Sequence, residues 1–434
     1  MAETERDDTS VHARKTEEKR LPLASEDFFL KYYYDAKKIA DNCCRWGVCK
    51  WVPSWVLKSP RFSKVCPSIA YYLFDAYSMQ GRMNLASALW GGKLKYEDSP
   101  ELLDIVHTCL MCGGCDAQCK NWCNEMEGLR VMEDLRANLV GDGELLPNHI
   151  PIIDNLRKED NMMMKPKTER DKWAEGLGLK NLTVERAEVV FHVGCCISYD
   201  EELWKVVRGA LSLLKDAGVD VGIMGKDEIC CGGRAYDMGY RGEFTKYAES
   251  NIEAWNQAGV KTVVTSCSDC YLSIKRRYPE LDSKFDVLHI SEFIDRLLKE
   301  GKLKLSKTIP ITVTYHDPCH LGRRTDVYEP GKPIEGIFDP PRDVITSIPG
   351  VTLVEMERIR EYAWCCGAGS HVREVYHDFS TWTAGERIEE ASATGAEALV
   401  TACPWCERNF IDSINLKGEK IKILDIVELV EQAI

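Results

Sequence analysis

From residue 186 the chain alternates short β-rich apolar runs with amphipathic stretches of helical period. AEVVFHVGC, VDVGIMG and VKTVVTSC read as strands. Between them, EELWKVVRGALSLLKDAG and EFTKYAESNIEAWNQAG carry apolar residues at helical spacing, the first closed by Gly218. The order recurs later as ITVTYHDPC, a long excursion, the helical FSTWTAGERIEEASATGA and the strand EALVTAC. Strands alternating with helices predict an α/β fold with largely parallel sheets. Upstream the pattern differs. Residues 1–40 comprise a charged tail and an expected helix, with Phe28, Phe29, Tyr32, Tyr33 and Tyr34 as packing residues. Residues 41–135 read as a small helical domain and 136–185 as a linker with short helices. Residues 186–300 and 301–434 form two α/β domains.

The 434 residues suffice for several cores, and 44% hydrophobic residues is ordinary for a globular protein. A net charge of −13 argues against a nucleic-acid surface. No apolar run reaches membrane-spanning length. The N-terminus lacks the apolar stretch of a signal peptide, so a cytoplasmic location is expected, with any membrane association through a partner subunit. Cysteine changes the picture most. Its 20 copies lie mainly in tight groups, and a chain this long without a secretion signal is no disulfide scaffold. They read as metal ligands.

The α/β domains are an internal repeat of five cysteines. The first copy holds Cys195, the pair Cys230 and Cys231 followed by Gly232, then Cys267 and Cys270. The second holds Cys319, the pair Cys365 and Cys366 followed by Gly367, then Cys403 and Cys406. The intervening gaps are 34 and 35 residues in one copy, 45 and 36 in the other. Strand-end cysteines place thiolates along the edge where open α/β sheets bind ligands. Five thiolates exceed the need of one cubane, which predicts an extended or unusual cluster. Upstream, Cys109, Cys112, Cys115 and Cys119 follow the bacterial ferredoxin spacing, with Gly113 and Gly114 allowing the tight loop. A zinc knuckle would show two separated pairs. The earlier group, Cys43, Cys44 and Cys49, has Trp46 at the middle cysteine position, and its Cys-Pro appears only at Cys66. In two-cluster ferredoxins the fourth cysteine of each run serves the other cluster. By that logic Cys66 completes the site of Cys109, Cys112 and Cys115. Cys119 joins Cys43 and Cys49, with Cys44 and Cys123 as open alternatives.

The words HVGCCISYD, ICCGGRAYDMG, SCSDCY, HDPCHLGR, WCCGAGS and ACPWCERNF resemble the CCG domains of heterodisulfide reductase, found in its B and D subunits. Those domains also occur in the glycolate oxidase iron–sulfur subunit and in components of sulfate-reducer membrane complexes. Two ferredoxin-type motifs followed by two CCG domains resemble the D subunit in particular, over roughly residues 40–430. The resemblance implies an oxidoreductase component with [4Fe-4S] cubanes at the N-terminal cysteines and a noncubane [4Fe-4S] cluster in each CCG domain, cleaving a small-molecule disulfide. It implies partners such as a cytochrome b-type membrane subunit, a flavoprotein or a ferredoxin-like donor. The alternative is an electron-relay protein with no substrate of its own, linked to a membrane cytochrome, a flavoprotein or a benzoyl-CoA reductase complex.

Other residues carry secondary expectations. Cys196 reads as a buried thiol beside the ligands. His316, His320 and His371 read as hydrogen-bonding groups at the sites, with proton donation to a leaving thiolate as the alternative for His316 and His320. Gly232, Gly233, Gly367 and Gly369 are expected to let backbone approach a cluster. Arg323 and Arg324 are candidates for an anionic substrate.

Overall fold

Two wholly parallel sheets carry the two repeats. A computed structural model describes residues 35–121, 126–325 and 334–434. The first sheet comprises β1 (Lys180–Asn181), β2 (Val189–Phe191), β3 (Val221–Ile223), β4 (Thr262–Thr265) and β5 (Asp286–His289), in the order β1-β3-β2-β4-β5. The second comprises β6 (Ile311–Tyr315), β7 (Val351–Leu353), β8 (Ala398–Thr401) and β9 (Lys422–Asp425), in the order β7-β6-β8-β9. Removing β1 leaves the same order in both, so the cysteine repeat is also a structural repeat. The central strands are buried on both faces: Val190 and Phe191, Val263 and Val264, Val313 and Thr314, and Leu399 and Val400 are all fully buried. That is the burial expected of parallel strands covered by helices.

The repeats share one continuous core. The C-terminal helix Ile426–Ala433 lies on the helix Trp204–Asp216 of the first repeat, where Gly209 leaves room for Val427 and Glu431. Its start is fixed by a capping box, with Asp425 accepting from the Val427 amide at 2.9 Å.

The cysteine-bearing domain upstream is helical, as the sequence predicts. Helices Ala36–Asn42, Met79–Trp90 and Gly128–Asp142 enclose a core of Ile39, Met83, Met132 and Leu135. Asp35 caps the first of these helices; the five aromatics at 28–34 lie outside the described residues. Residues 136–185 are more built than a linker. The helix Gly128–Asp142 runs straight through position 136. Ile152, Ile153, Leu156 and Met162 pack with Cys195 and Cys230, while Met164 is exposed. Trp173 and Leu182 join the core of the first repeat, so its sheet begins before residue 186, at β1. No helix among the described residues is long and apolar enough to cross a membrane.

Candidate metal centre

Two small cavities lie side by side in the helical domain. Cys43, Cys44, Cys49, Cys115 and Cys119 line the first, with Trp46, Met79 and Met83. Cys66, Cys109, Cys112 and Cys115 line the second, with Met79, Arg82 and Leu129. The structure thus brings Cys66 across to the ferredoxin-spaced loop and Cys119 back to the earlier group. The loop turns through positive φ at Met111 (51°) and Gly113 (74°). Only glycine adopts the latter without strain. Trp46 does not plug the first cavity; it lies at its mouth, 65% exposed. Cys123 lies outside the described residues. Burial pushes the Cys49 and Cys119 thiols up to about 12. A metal would therefore have to displace protons there, which couples binding to pH.

In the first repeat Cys195 opens a short helix after Gly194, Cys230 and Cys231 precede the helix Gly233–Met238, and Cys267 and Cys270 bracket the start of another. Their thiols touch in sequence: Cys195 with Cys230, Cys230 with Cys231, Cys231 with Cys270, Cys270 with Cys267. Gly194 has φ 78°, and a Cβ there would stand 2.9 Å from the Cys270 Sγ. Arg170 reaches the Cys195 Sγ from the segment before β1, at 3.7 Å from Nη2. Its position is held by Glu228 at 3.0 Å, and Glu228 also accepts from the Val193 and Gly194 amides. A hydrogen bond from Cys230, with help from the Arg170 charge, outweighs burial and draws the Cys195 thiol down to about 6.

The second repeat forms the same chain: Cys319 with Cys365, Cys365 with Cys366, Cys366 with Cys406, Cys406 with Cys403. In both repeats the glycine after the pair donates its amide to the first thiol, Gly232 to Cys230 at 3.3 Å and Gly367 to Cys365 at 3.4 Å. Two contacts join the sets. Cys112 of the helical domain touches Cys365, and Cys267 of the first repeat touches Cys403 of the second. Of the ten thiols in the two repeats, all but the half-buried Cys319 are buried. These donor sets fit soft, sulfur-loving iron: thiolates converge in groups, with apolar walls and a cradle at Gly194 that a Cβ would fill.

Several secondary expectations change. Arg323 and Arg324 are largely buried and engaged by protein groups, and both also line a cavity with Arg276 and Arg277. Arg323 donates to the carbonyls of Cys112, Glu361 and Ala363. Arg324 bonds His320, Asp237 and Glu133. Arg323 binds the cysteine loop to the second repeat, and Arg324 ties that repeat to the first and to the helix Gly128–Asp142. The glycines at the CCG words give room to neighbouring protein. A Cβ would strike Phe244 at Gly232, Ser273 at Gly233, the Ser380 carbonyl at Gly367 and the Leu110 carbonyl at Gly369. Cys196 is buried, and its charged neighbours include Arg234 and Cys403, so it faces the second set. His371 bonds Glu374 at 3.2 Å. Both ring nitrogens of His320 are engaged, Nδ1 with Asp269 at 2.6 Å and Nε2 with Arg324 at 2.8 Å. It ties the two repeats together and offers no free nitrogen to a substrate.

Four residues escaped the sequence reading. Arg234 donates to Asp269 at 2.8 Å and to the Ala368 carbonyl at 2.8 Å, and its guanidinium lies 3.4 Å over the Trp405 ring. Arg234 and Asp269 stand where the second repeat has Gly369 and Trp405, so this bridge breaks the internal symmetry. Arg170 carried no local signal. His192 did: it precedes Cys195 by the interval that separates His316 from Cys319.

Two parallel α/β repeats, each closing five cysteines around one site, with further thiol cavities beside them, define a CCG-type iron–sulfur oxidoreductase. Residues 189–275 and 313–411 match the CCG cysteine-rich domain family. Curated relatives include the D subunit of dihydromethanophenazine:CoB–CoM heterodisulfide reductase from Methanosarcina mazei, 32% identical over 91% of this chain and 94% of that one. Its counterpart from Methanosarcina acetivorans is 31% identical at the same coverages. An EtfAB:quinone oxidoreductase from Syntrophomonas wolfei is 28% identical over 76% of this chain and 46% of its own. The chain belongs to the family of the heterodisulfide reductase D subunit, an oxidoreductase component of a multi-subunit redox complex.

Proposed function

We propose that the chain is the disulfide-active, electron-transferring component of a heterodisulfide reductase-like complex. Cys66, Cys109, Cys112 and Cys115 would hold one [4Fe-4S] cubane, and Cys43, Cys49 and Cys119, with Cys44 at the same cavity, a second. Cys195, Cys230, Cys231, Cys267 and Cys270 would hold one noncubane [4Fe-4S] cluster, and Cys319, Cys365, Cys366, Cys403 and Cys406 the other. When bound, the clusters supply one-electron transfer between the cubanes and the noncubane pair, so that two electrons and two protons convert a disulfide to two thiols, or the reverse. The observation that carries this reading is the run of neighbouring thiols from Cys112 through Cys365, Cys366 and Cys406 to Cys403 and Cys267. Arg323 faces Cys112, Cys319 and Cys365, and Arg170 faces Cys195, so both sets sit beside a buried cation that favours thiolate. Cys319, half-buried, marks the side from which a substrate sulfur approaches. Electrons would enter at the first cavity, where Cys44 is exposed, from a partner such as a cytochrome b-type protein, a flavoprotein or a ferredoxin-like donor.

Iron and sulfide analysis of anaerobically purified protein, with EPR in the presence and absence of thiols, tests this. Roughly sixteen irons, as for four four-iron clusters, and a thiol-dependent oxidised signal are expected. About eight irons with reduced-cubane signals alone would sink it. The cubane assignment has its own check. Cys66→Ser should disturb only the cubane whose cavity holds Arg82, and Cys119→Ser only the other. EPR of the reduced variants separates the two, and loss of the same signal in both would refute the crossed pairing.

The second reading is an electron relay without its own substrate. The burial of nine of the ten CCG thiols favours it, as does the quinone oxidoreductase among the relatives. Reduction of a disulfide by the holoprotein with an artificial donor decides between them, since a pure relay shows none.

A further inference from the structure

Each repeat ends its first strand on His-x-x-Cys, and the two histidines occupy the same place. His192 and His316 are 0% and 1% exposed. A ring nitrogen of His192 and the Sγ atoms of Cys231 and Cys270 lie within 4.8 Å of one another, and His316, Cys366 and Cys406 repeat the arrangement. A contact reproduced across an internal repeat with little other sequence identity is not a packing accident.

The second repeat also fixes what the imidazole does there. The Arg387 Nε donates to the His316 Nδ1 at 3.1 Å. A guanidinium can only donate, so Nδ1 presents its lone pair and the ring proton sits on Nε2. Among the described residues Nε2 has no hydrogen-bond partner, and the Cys366 and Cys406 sulfurs are the groups gathered beside the ring. A nitrogen that keeps its proton donates a hydrogen bond and does not ligate metal. In the first repeat neither ring nitrogen of His192 has a hydrogen-bond partner among the described residues. The Glu228 Oε2 stands 3.7 Å from Nδ1 and accepts from the Val193 amide, while Oε1 takes Arg170 and the Gly194 amide. The other neighbours are aromatic edges, Trp255 at 5.7 Å from His192 and Phe410 at 5.0 Å from His316. Burying an imidazole without an acceptor is costly. Among the described residues, the thiols gathered beside each ring are the acceptors the two repeats share.

We propose that His192 and His316 each donate an N–H···S hydrogen bond to a cluster-ligating thiolate, Cys231 and Cys366 respectively, and so set the reduction potentials of the two CCG sites. They are positioning residues and not metal ligands. A donor aimed at a ligand sulfur stabilises the added negative charge of the reduced state and raises the potential. The inference rests on the reading that the CCG sets hold iron–sulfur clusters.

The test uses the full-length holoprotein, made with 15N-histidine and compared in H2O and D2O by pulsed EPR. Weak nitrogen coupling together with an exchangeable proton near the cluster is expected. The strong coupling of an iron-bound imidazole nitrogen would overturn the proposal without any mutation. His316→Leu should keep its iron and sulfide but shift the second site's redox equilibrium toward the oxidised form by about tenfold, or about 59 mV for one electron. His192→Leu should do the same at the first site. His316→Gln, which retains an N–H donor, should recover much of the shift. Unchanged potentials in both leucine variants, or iron lost from the leucine variant and not restored by glutamine, would overturn it. Parent protein with cubane iron alone would instead defeat the cluster reading beneath it, and iron analysis shows this before any variant is made.

Discussion

Replacing Arg136 with methionine is expected to destabilise the whole protein by about 3–5 kcal/mol, because three buried carbonyls lose their donor. Arg136 is fully buried where the helical domain meets both repeats. Its Nη2 donates to the Val106 and Cys109 carbonyls at 2.8 and 2.7 Å. Its Nη1 donates to the Asp237 carbonyl at 2.8 Å and to the Ser370 hydroxyl. Burial draws its pKa down to about 10, which leaves it charged at neutral pH. Methionine fills similar volume but donates nothing. Gly239 limits relaxation, since a Cβ there would lie 2.3 Å from the Arg136 carbonyl, so the two segments are already in contact. Urea unfolding of the apoprotein, parent against variant, reads the effect free of cluster loss. A change below about 1 kcal/mol, the net worth of one ordinary hydrogen bond, would contradict the argument. Arg136→Lys should fall between, since an ammonium can serve some of these carbonyls but not in the planar fork.

What the sequence revealed, and what it hid, divides by range. The ten repeated cysteines, β2, β4, β6 and β8, and the helices between them are written in local spacing, and the structure reproduces them. The strands at the sheet edges left weaker traces. β5 (Asp286–His289) and β9 (Lys422–Asp425) are four residues flanked by charge, and β7 lies in the excursion between Cys319 and Cys365. A period of two cannot be read from so few positions. Arg323 and Arg324 resemble surface arginines because nothing nearby in the chain explains their burial. Their partners, the Cys112 carbonyl and Asp237, lie far upstream. The same holds for the thiol contact of Cys112 with Cys365, which no spacing rule connects. Gly232 and Gly367 were legible as special, and the structure adds a reason the sequence does not carry: both sit at positive φ against a neighbouring helix. Residues 136–185 read as a linker because their apolar residues belong to cores completed by other segments.

The contacts between sites predict an asymmetry that the repeat conceals. Cys366→Ala is expected to stop electrons from a low-potential donor reaching either CCG site, whereas Cys231→Ala should leave the second site reducible. The helical domain meets the second set through Cys112 and Cys365. Arg323 spans the same junction, donating to the Cys112 carbonyl at 2.6 Å while its charge faces Cys319. The first set lies against the second through Cys267 and Cys403. The first site therefore lies beyond the second as seen from the thiol cavities of the helical domain, although along the chain it is the nearer of the two. Disulfide reduction should fall to background in both variants, because each removes a thiolate from one of the two five-cysteine sets. Rapid-freeze EPR after mixing with a reduced donor tells them apart. In Cys366→Ala the cubanes should reduce while the first site stays oxidised, and in Cys231→Ala the second site should still reduce at the parent rate. A first site that reduces normally in Cys366→Ala would show an entry route that bypasses Cys112, and the order of sites would have to be reversed.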